Sequence, residues 1–176
     1  VDSLKNYDID FVKLKFGQHS FDYEIDDSFF SVKDHSLVKQ GNVNVHLLID
    51  KKDRLMNFTF SIEGIVITEC DVCLDSFDLP VKGTESIVIK IVEEPLESDG
   101  EIIYLGPNAV SFNVYDHIYE IICTNIPMTK TCKDNAGKPK ACNPEMLKFL
   151  SEKDDTSTNF EQQTDPRWDK LKNIKE

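Results

Sequence analysis

"NVNVHLLIDKKDRLMNFTFSIEGIVITE", residues 42–69, decides the fold class. Apolar and polar residues alternate on both sides of the polar "DKKD" at 50–53, which is the period of side chains along an extended chain. In the second half Met56, Phe58, Phe60 and Ile62 fall on one face. The expectation is two long strands joined by a turn at 50–53, with Gly64 marking a bulge. "FDLPVKGTESIVIKIVEE" then reads as a third long strand, whose Pro80 places its start at an edge or an irregularity. The intervening "ECDVCLDS" is the tip of an antiparallel hairpin.

The flanking segments add shorter pieces. "YDIDFVKLKFGQHSFDYEID" alternates across Gly17 and reads as two strands joined by a turn. "DDSFF" reads as a helical turn capped by Asp26 or Asp27, and "EIIYLG" as a further strand. "FNVYDHIYEIICTNIP" reads as a helix with Asn113 as cap, Ile118, Ile121 and Ile122 on one face, and Pro127 as the stop. "CNPEMLKFL" opens a short helix at Asn143, with Pro144 in its first position. "EEPLESDGE" carries five acids and no base, the composition of a solvated loop. The fold class is therefore α+β: a single domain dominated by antiparallel β-strands with long hairpins, a few short helices and a C-terminal tail. Its expected boundaries are a β-rich domain over 1–150, a linker over 151–165 and a closing segment over 166–176.

At 176 residues the chain can bury one real core. Its formal net charge of −12 repels polyanions at long range, so contact with nucleic acid needs a local basic patch or a second protein. No run approaches the roughly 20 apolar residues of a membrane span, and no stretch reads as a signal peptide. Five cysteines in such a chain point to a reducing cytoplasm, with free thiols or a metal.

Cys70 and Cys73 form C-x2-C. Cys132 and Cys142 bracket "KDNAGKPKA" far downstream, and Cys123 lies in the expected helix as a small buried apolar residue. Zinc takes four soft or nitrogen ligands in a tetrahedron, and two such pairs supply them. The alternative is reduced thiols on a hairpin turn, with the other two incidental. A thioredoxin-like redox pair fits poorly, because it needs the motif at a helix start and strands flank it here.

"TKTCKDNAGKPKAC" places Lys130, Lys133, Lys138 and Lys140 against one acid, Asp134. This basic island beside the candidate ligands suits phosphate contact, while lysines of a solvated loop are the plainer reading. Nothing argues for catalysis. His19, His35, His46 and His117 are scattered, and no nucleophile elbow, phosphate-cradling glycine loop or HExxH occurs. Trp168, the only tryptophan, sits beside Arg167 in the tail. Such an aromatic either docks on its own domain or anchors to a partner, since its apolar area is costly to leave wet.

Taken in order, "CDVCLDSFDLPV", "VYDHIYEIICTNIPM", a cysteine-bearing loop and the closing "DPRWDKLKNI" resemble the YceD-like family over roughly residues 55–176. Members are described as large ribosomal RNA subunit accumulation proteins of bacteria and plastids, without known catalytic activity. The resemblance implies a second, tight cysteine cluster after the helix-ending proline. Here that cluster is Cys132 and Cys142 with a wider gap, either a stretched zinc site or a relic. The expected function is a non-enzymatic ribosome-biogenesis factor acting on large-subunit ribosomal RNA, or on a large-subunit ribosomal protein. In that reading Lys130, Lys133, Lys138, Lys140, Arg167 and Trp168 make the contacts. The alternative is an acidic, chaperone-like interaction module for basic proteins, without direct RNA contact.

Overall fold

A computed structural model describes residues 3–33, 35–94 and 102–154. Its centre is a five-stranded sheet in the order β2 (Gly17–Ile25), β3 (Gln40–Lys51), β4 (Leu55–Glu69), β5 (Ser76–Ile91) and β6 (Ile102–Leu105). The first four strands pair antiparallel, and β6 joins β5 in parallel. A second sheet is a two-residue pairing of β1 (Asp8–Ile9) with β7 (Phe112–Asn113). Three short helices complete the α+β fold: α1 (Asp27–Phe30), α2 (Tyr115–Thr124) and α3 (Pro144–Asp154).

The alternation read from residues 42–69 is the physical cause of the sheet. Val43, Val45, Leu47 and Ile49 of β3 are buried, as are Met56, Phe58, Phe60, Ile62 and Val66 of β4. Phe77, Leu79, Val81, Ile87 and Ile89 of β5 extend the same face. Phe29 and Phe30 of α1 and Ile118, Ile121 and Ile122 of α2 close over it as one core. Each such side chain stabilises the fold by about 1.5–3 kcal/mol relative to exposure. Among the described residues no buried side-chain nitrogen or oxygen lacks a hydrogen-bond partner.

Two local expectations need correction. Gly64 makes no bulge: pairing runs unbroken through it, to Val43 on one side and Val81 on the other. Its role is close approach, because a Cβ there would meet the Asn42 carbonyl oxygen at 2.3 Å and the Val43 Cα at 2.5 Å. Residues 7–26 give two strands joined by a turn, but the turn lies at 11–14 rather than at Gly17, and the two strands do not pair with each other. β1 pairs with β7, and β2 pairs with β3. The intervening chain turns instead, with Phe11 buried. The Lys51 ammonium donates to the carbonyls of Phe11 and Leu14, both at 2.7 Å, which gathers those carbonyls into a turn.

The helix signals were local and place all three helices, although α2 starts only at Tyr115 with Val114 as its cap, while Phe112 and Asn113, read as its opening, form β7. Asp26 accepts from the Ser28 N–H at the start of α1, and Asn113 Oδ1 accepts from the Tyr115 N–H at the start of α2. Asn143 Oδ1 accepts from the Glu145 N–H at the start of α3. That helix continues to Asp154, so its last turn crosses residue 150. Pro80 lies where β5 has only β4 as neighbour, since β6 pairs with 88–91 alone. The acidic loop at 95–101 and the tail from residue 155 onward lie outside the described residues.

Candidate metal centre

Cys70 and Cys73 sit in the turn between β4 and β5. The turn folds on its own backbone: the Leu74 N–H donates to the Cys70 carbonyl at 2.9 Å, and the Cys70 N–H to the Asp75 carbonyl at 3.0 Å. Closing it requires φ = +63° at Leu74, a left-handed conformation unfavourable for a residue with a Cβ. The Val72 N–H points at Cys70 Sγ, 3.4 Å away. This presents both sulfurs on the inner side, with Cys70 and Cys73 buried.

The second pair arrives on a loop with its own scaffold. Thr131 and Asp134 form a reciprocal cap around a 3-10 turn at Cys132–Asp134. The Asp134 carboxylate accepts from the Thr131 N–H at 2.8 Å and from its hydroxyl at 3.0 Å. The Lys140 N–H donates to the Cys132 carbonyl at 2.8 Å, drawing the far end of the loop back. The loop is also stitched to the open edge of β5. The Ala136 N–H donates to the Asp78 carbonyl at 2.7 Å, and the Asp78 N–H donates to Asn135 Oδ1 at 3.2 Å.

A clasp joins the two segments. The Asp71 N–H donates to the Lys130 carbonyl at 2.9 Å. In return the Asp71 carboxylate accepts from the Lys130 N–H at 2.7 Å and from its ammonium at 3.1 Å. These bonds, with the Lys130 charge, hold the Asp71 carboxyl below its ordinary range. Lys130 is thus committed to the architecture of the turn. Lys133, Lys138 and Lys140 are exposed, and among the described residues no ion pair involves them.

The result is a four-sulfur cluster. The Sγ atoms of Cys70, Cys73, Cys132 and Cys142 all lie within 4.8 Å of one another. Cys73 and Cys132 are 3.4 Å apart, Cys70 and Cys142 3.9 Å, and no disulfide links them. A tetrahedral zinc with arms of about 2.3 Å has sulfurs roughly 3.8 Å apart, so the set fits such an ion. The protonation pattern fits as well. Burial opposes ionisation of Cys70, but the N–H groups of Cys73, Val72 and Cys132 and the Cys73 thiol outweigh it and bring the thiol down to about 6. Burial among neighbouring sulfurs pushes Cys132 up to about 12, and burial raises Cys142 too. Closely packed sulfurs resist ionising together without a cation, and a divalent ion would displace their protons.

Cys123 stands apart on α2, half-buried, its thiol raised by burial. Arg167 and Trp168 lie outside the described residues. The residues that sequence reasoning missed are the clasp and the scaffold: Asp71, Asn135 and the Thr131–Asp134 cap. Only the cap had a local signal, a threonine three residues before an acid.

Two other features bear on chemistry. His46 Nδ1 lies 2.6 Å from Asp22 on the outer face of the sheet, with Ser61 opposite His46 in register. The Ser61 hydroxyl instead accepts from Thr84 at 3.5 Å, and strand pairing occupies the neighbouring backbone N–H groups. No helix among the described residues is long and apolar enough to cross a membrane.

Comparison with known proteins gives one positive finding. Residues 58–175 match the family described as "Large ribosomal RNA subunit accumulation protein YceD". No curated protein and no solved structure is detectably similar to the chain. The match takes in two thirds of the chain, including the four converging cysteines, α2 and the closing segment. Its description is of an accumulation factor, not of an enzyme. The chain belongs to the YceD family, which associates it with accumulation of large-subunit ribosomal RNA.

Proposed function

We propose that the chain supports large-subunit ribosomal RNA accumulation as a cytoplasmic binding factor, without catalysis. In this reading a zinc ion held by Cys70, Cys73, Cys132 and Cys142 locks the loop that carries its RNA contacts. The observation that carries it is the convergence of four sulfurs between two segments some 60 residues apart, one of them bearing Lys133, Lys138 and Lys140. Four cysteines with no structural task would not need such a scaffold. The metal would supply a fixed cross-link where the turn and the loop have little apolar bulk. The three lysines then meet phosphates from a loop that is already ordered, which lowers the entropic cost of binding. The remainder of the chain, strongly acidic, limits nonspecific RNA contact.

The test is salt-dependent binding to large-subunit ribosomal RNA. Changing Lys133, Lys138 and Lys140 together to Glu should weaken binding and flatten its dependence on salt. Unchanged affinity in that variant would remove the loop as the RNA surface. Absence of affinity even at low salt would favour the second reading, a basic large-subunit ribosomal protein as direct target. The net charge of −12 supports that reading. Pull-down from native lysate, with and without ribonuclease, separates the two. Elemental analysis of protein purified without chelators tests the metal, with about one zinc per chain expected.

A further inference from the structure

We propose that the chain's own closing segment, residues 166–176, docks in a cleft beside the cysteine turn, with Trp168 seated against Leu37, Ile67 and Leu74. The cleft has a volume of about 390 Å³ and runs between the start of β3, the end of β4 and the turn. Its apolar wall is anomalous. Leu74 is 62% exposed, Leu37 79% and Ile67 39%. Ile65, 40% exposed, faces Pro80 across the strand pair and extends the same surface.

Leu74 is the most telling of these. The turn demands a positive φ, for which glycine is the ordinary answer. A leucine there bears the backbone penalty and leaves 62% of its surface in water, so it gains little from the described residues. An occupant that covers it resolves both.

The closing segment has the matching chemistry. Trp168, Leu171 and Ile174 recur every three residues, the spacing of one helical face. Arg167, Lys170, Lys172 and Lys175 against Asp169 and Glu176 give it a net charge of +2, and the cleft offers Glu69 and Asp71 beside Lys39 and Lys130, so the apolar contacts carry the match. It can also reach. α3 starts two residues after Cys142, a member of the sulfur cluster, and its 11 residues span roughly 16 Å. The 14 residues from Asp154 to Trp168 extend up to about 48 Å, well beyond that. The family match covers both the turn and this segment, to residue 175, so they occur as parts of one unit. The inference requires neither bound zinc nor RNA binding.

Because Trp168 is the only tryptophan, its fluorescence in the full chain reports the contact directly. A synthetic peptide of residues 160–176 supplies the undocked reference. The expected result is emission at shorter wavelength than the peptide's, better protected from acrylamide and independent of protein concentration. Leu74→Gly removes the side chain while suiting the positive φ, so the fold is retained. Its emission should shift to that of the peptide, as should that of Ile67→Ser. Phe149→Ser, on the exposed face of α3, should leave emission unchanged. The proposal is overturned if the wild-type emission equals that of the peptide, or if neither cleft substitution shifts it. A shift produced by Phe149→Ser alone would place the contact on α3. Protection that appears only at high protein concentration would assign the cleft to a second copy.

Discussion

Two regions of this molecule are ordered by different means. Under α1 and α2, Tyr7, Tyr23, Phe29 and Tyr115 stack and tilt against one another at ring distances of 4.5–5.6 Å. That region is held by apolar area, with Tyr115 directing its hydroxyl to the Phe29 carbonyl at 2.9 Å. The cysteine end has little such bulk. Its order comes from backbone hydrogen bonds, the Asp71–Lys130 clasp and four sulfurs packed within 4.8 Å of one another. The difference teaches that the sheet and its helical cover are held by apolar packing, while the turn and the lysine loop are joined by polar cross-links around four sulfurs placed as a metal site would need them.

The largest effect should come from breaking the shared core. Phe60 is fully buried in the middle of β4. Phe60→Ala should cost about 3–5 kcal/mol in urea unfolding, and both regions should melt together. If the cysteine end kept its thiol protection through that transition, the two regions would be independent folding units.

Cys132→Ser should sharpen the contrast. Metal content should fall from about one ion per chain to near none. Hydrogen exchange should rise in 69–78 and 129–142, while the amides of β3 and β4 stay protected. Global unfolding of this variant would mean that the ion supports the whole fold.

Asp71→Asn should act more mildly. It removes the charge that grips Lys130 while keeping a hydrogen-bonding side chain. Metal affinity should weaken by about tenfold, in line with loss of an outer contact, and far-UV circular dichroism should not change. Undiminished affinity would show that the sulfurs position themselves without the clasp.

The smallest effect concerns the aromatic region at high pH. Burial, then the neighbouring Tyr7, pushes the Tyr23 phenol up to about 12. Burial also raises Tyr7 and Tyr115. A phenol whose pKa rises on folding favours the folded state fully below its ordinary value of about 10, and loses that contribution as pH climbs through the raised value. Tyrosinate absorbance should therefore lag behind that of the unfolded chain between about pH 10 and pH 12. A single ordinary transition for all tyrosines would contradict the packing.

Much of the fold was legible because its causes are local. Period-two alternation over residues 42–69 is enough for two strands, since each side chain's face follows from the pleat. Asp26 and Asn143 announce helix starts because a cap binds an N–H two residues away, while α2 is capped one residue later than expected, at Val114. The register of Gly64 was not legible: an isolated glycine in a strand marks a bulge as readily as a close approach, and only the neighbouring strand decides. That the turn falls at 11–14 rather than at Gly17 has a similar cause. The Lys51 ammonium that gathers the Phe11 and Leu14 carbonyls comes from 37 and 40 residues away.

The amino-acid sequence by itself determined the class of the fold, the existence of the three helices and the identity of the four thiols. Tertiary structure alone decided that those thiols meet, that Lys130 holds the turn in place, and that Lys133, Lys138 and Lys140 are exposed beside the cluster. Alternation and capping act within a few residues of their cause, whereas the sulfur cluster forms across a chain separation of some 70 residues. Closing a loop of that length is settled by the β4–β5 pairing and the stitches to Asp78, not by any residue's own preference.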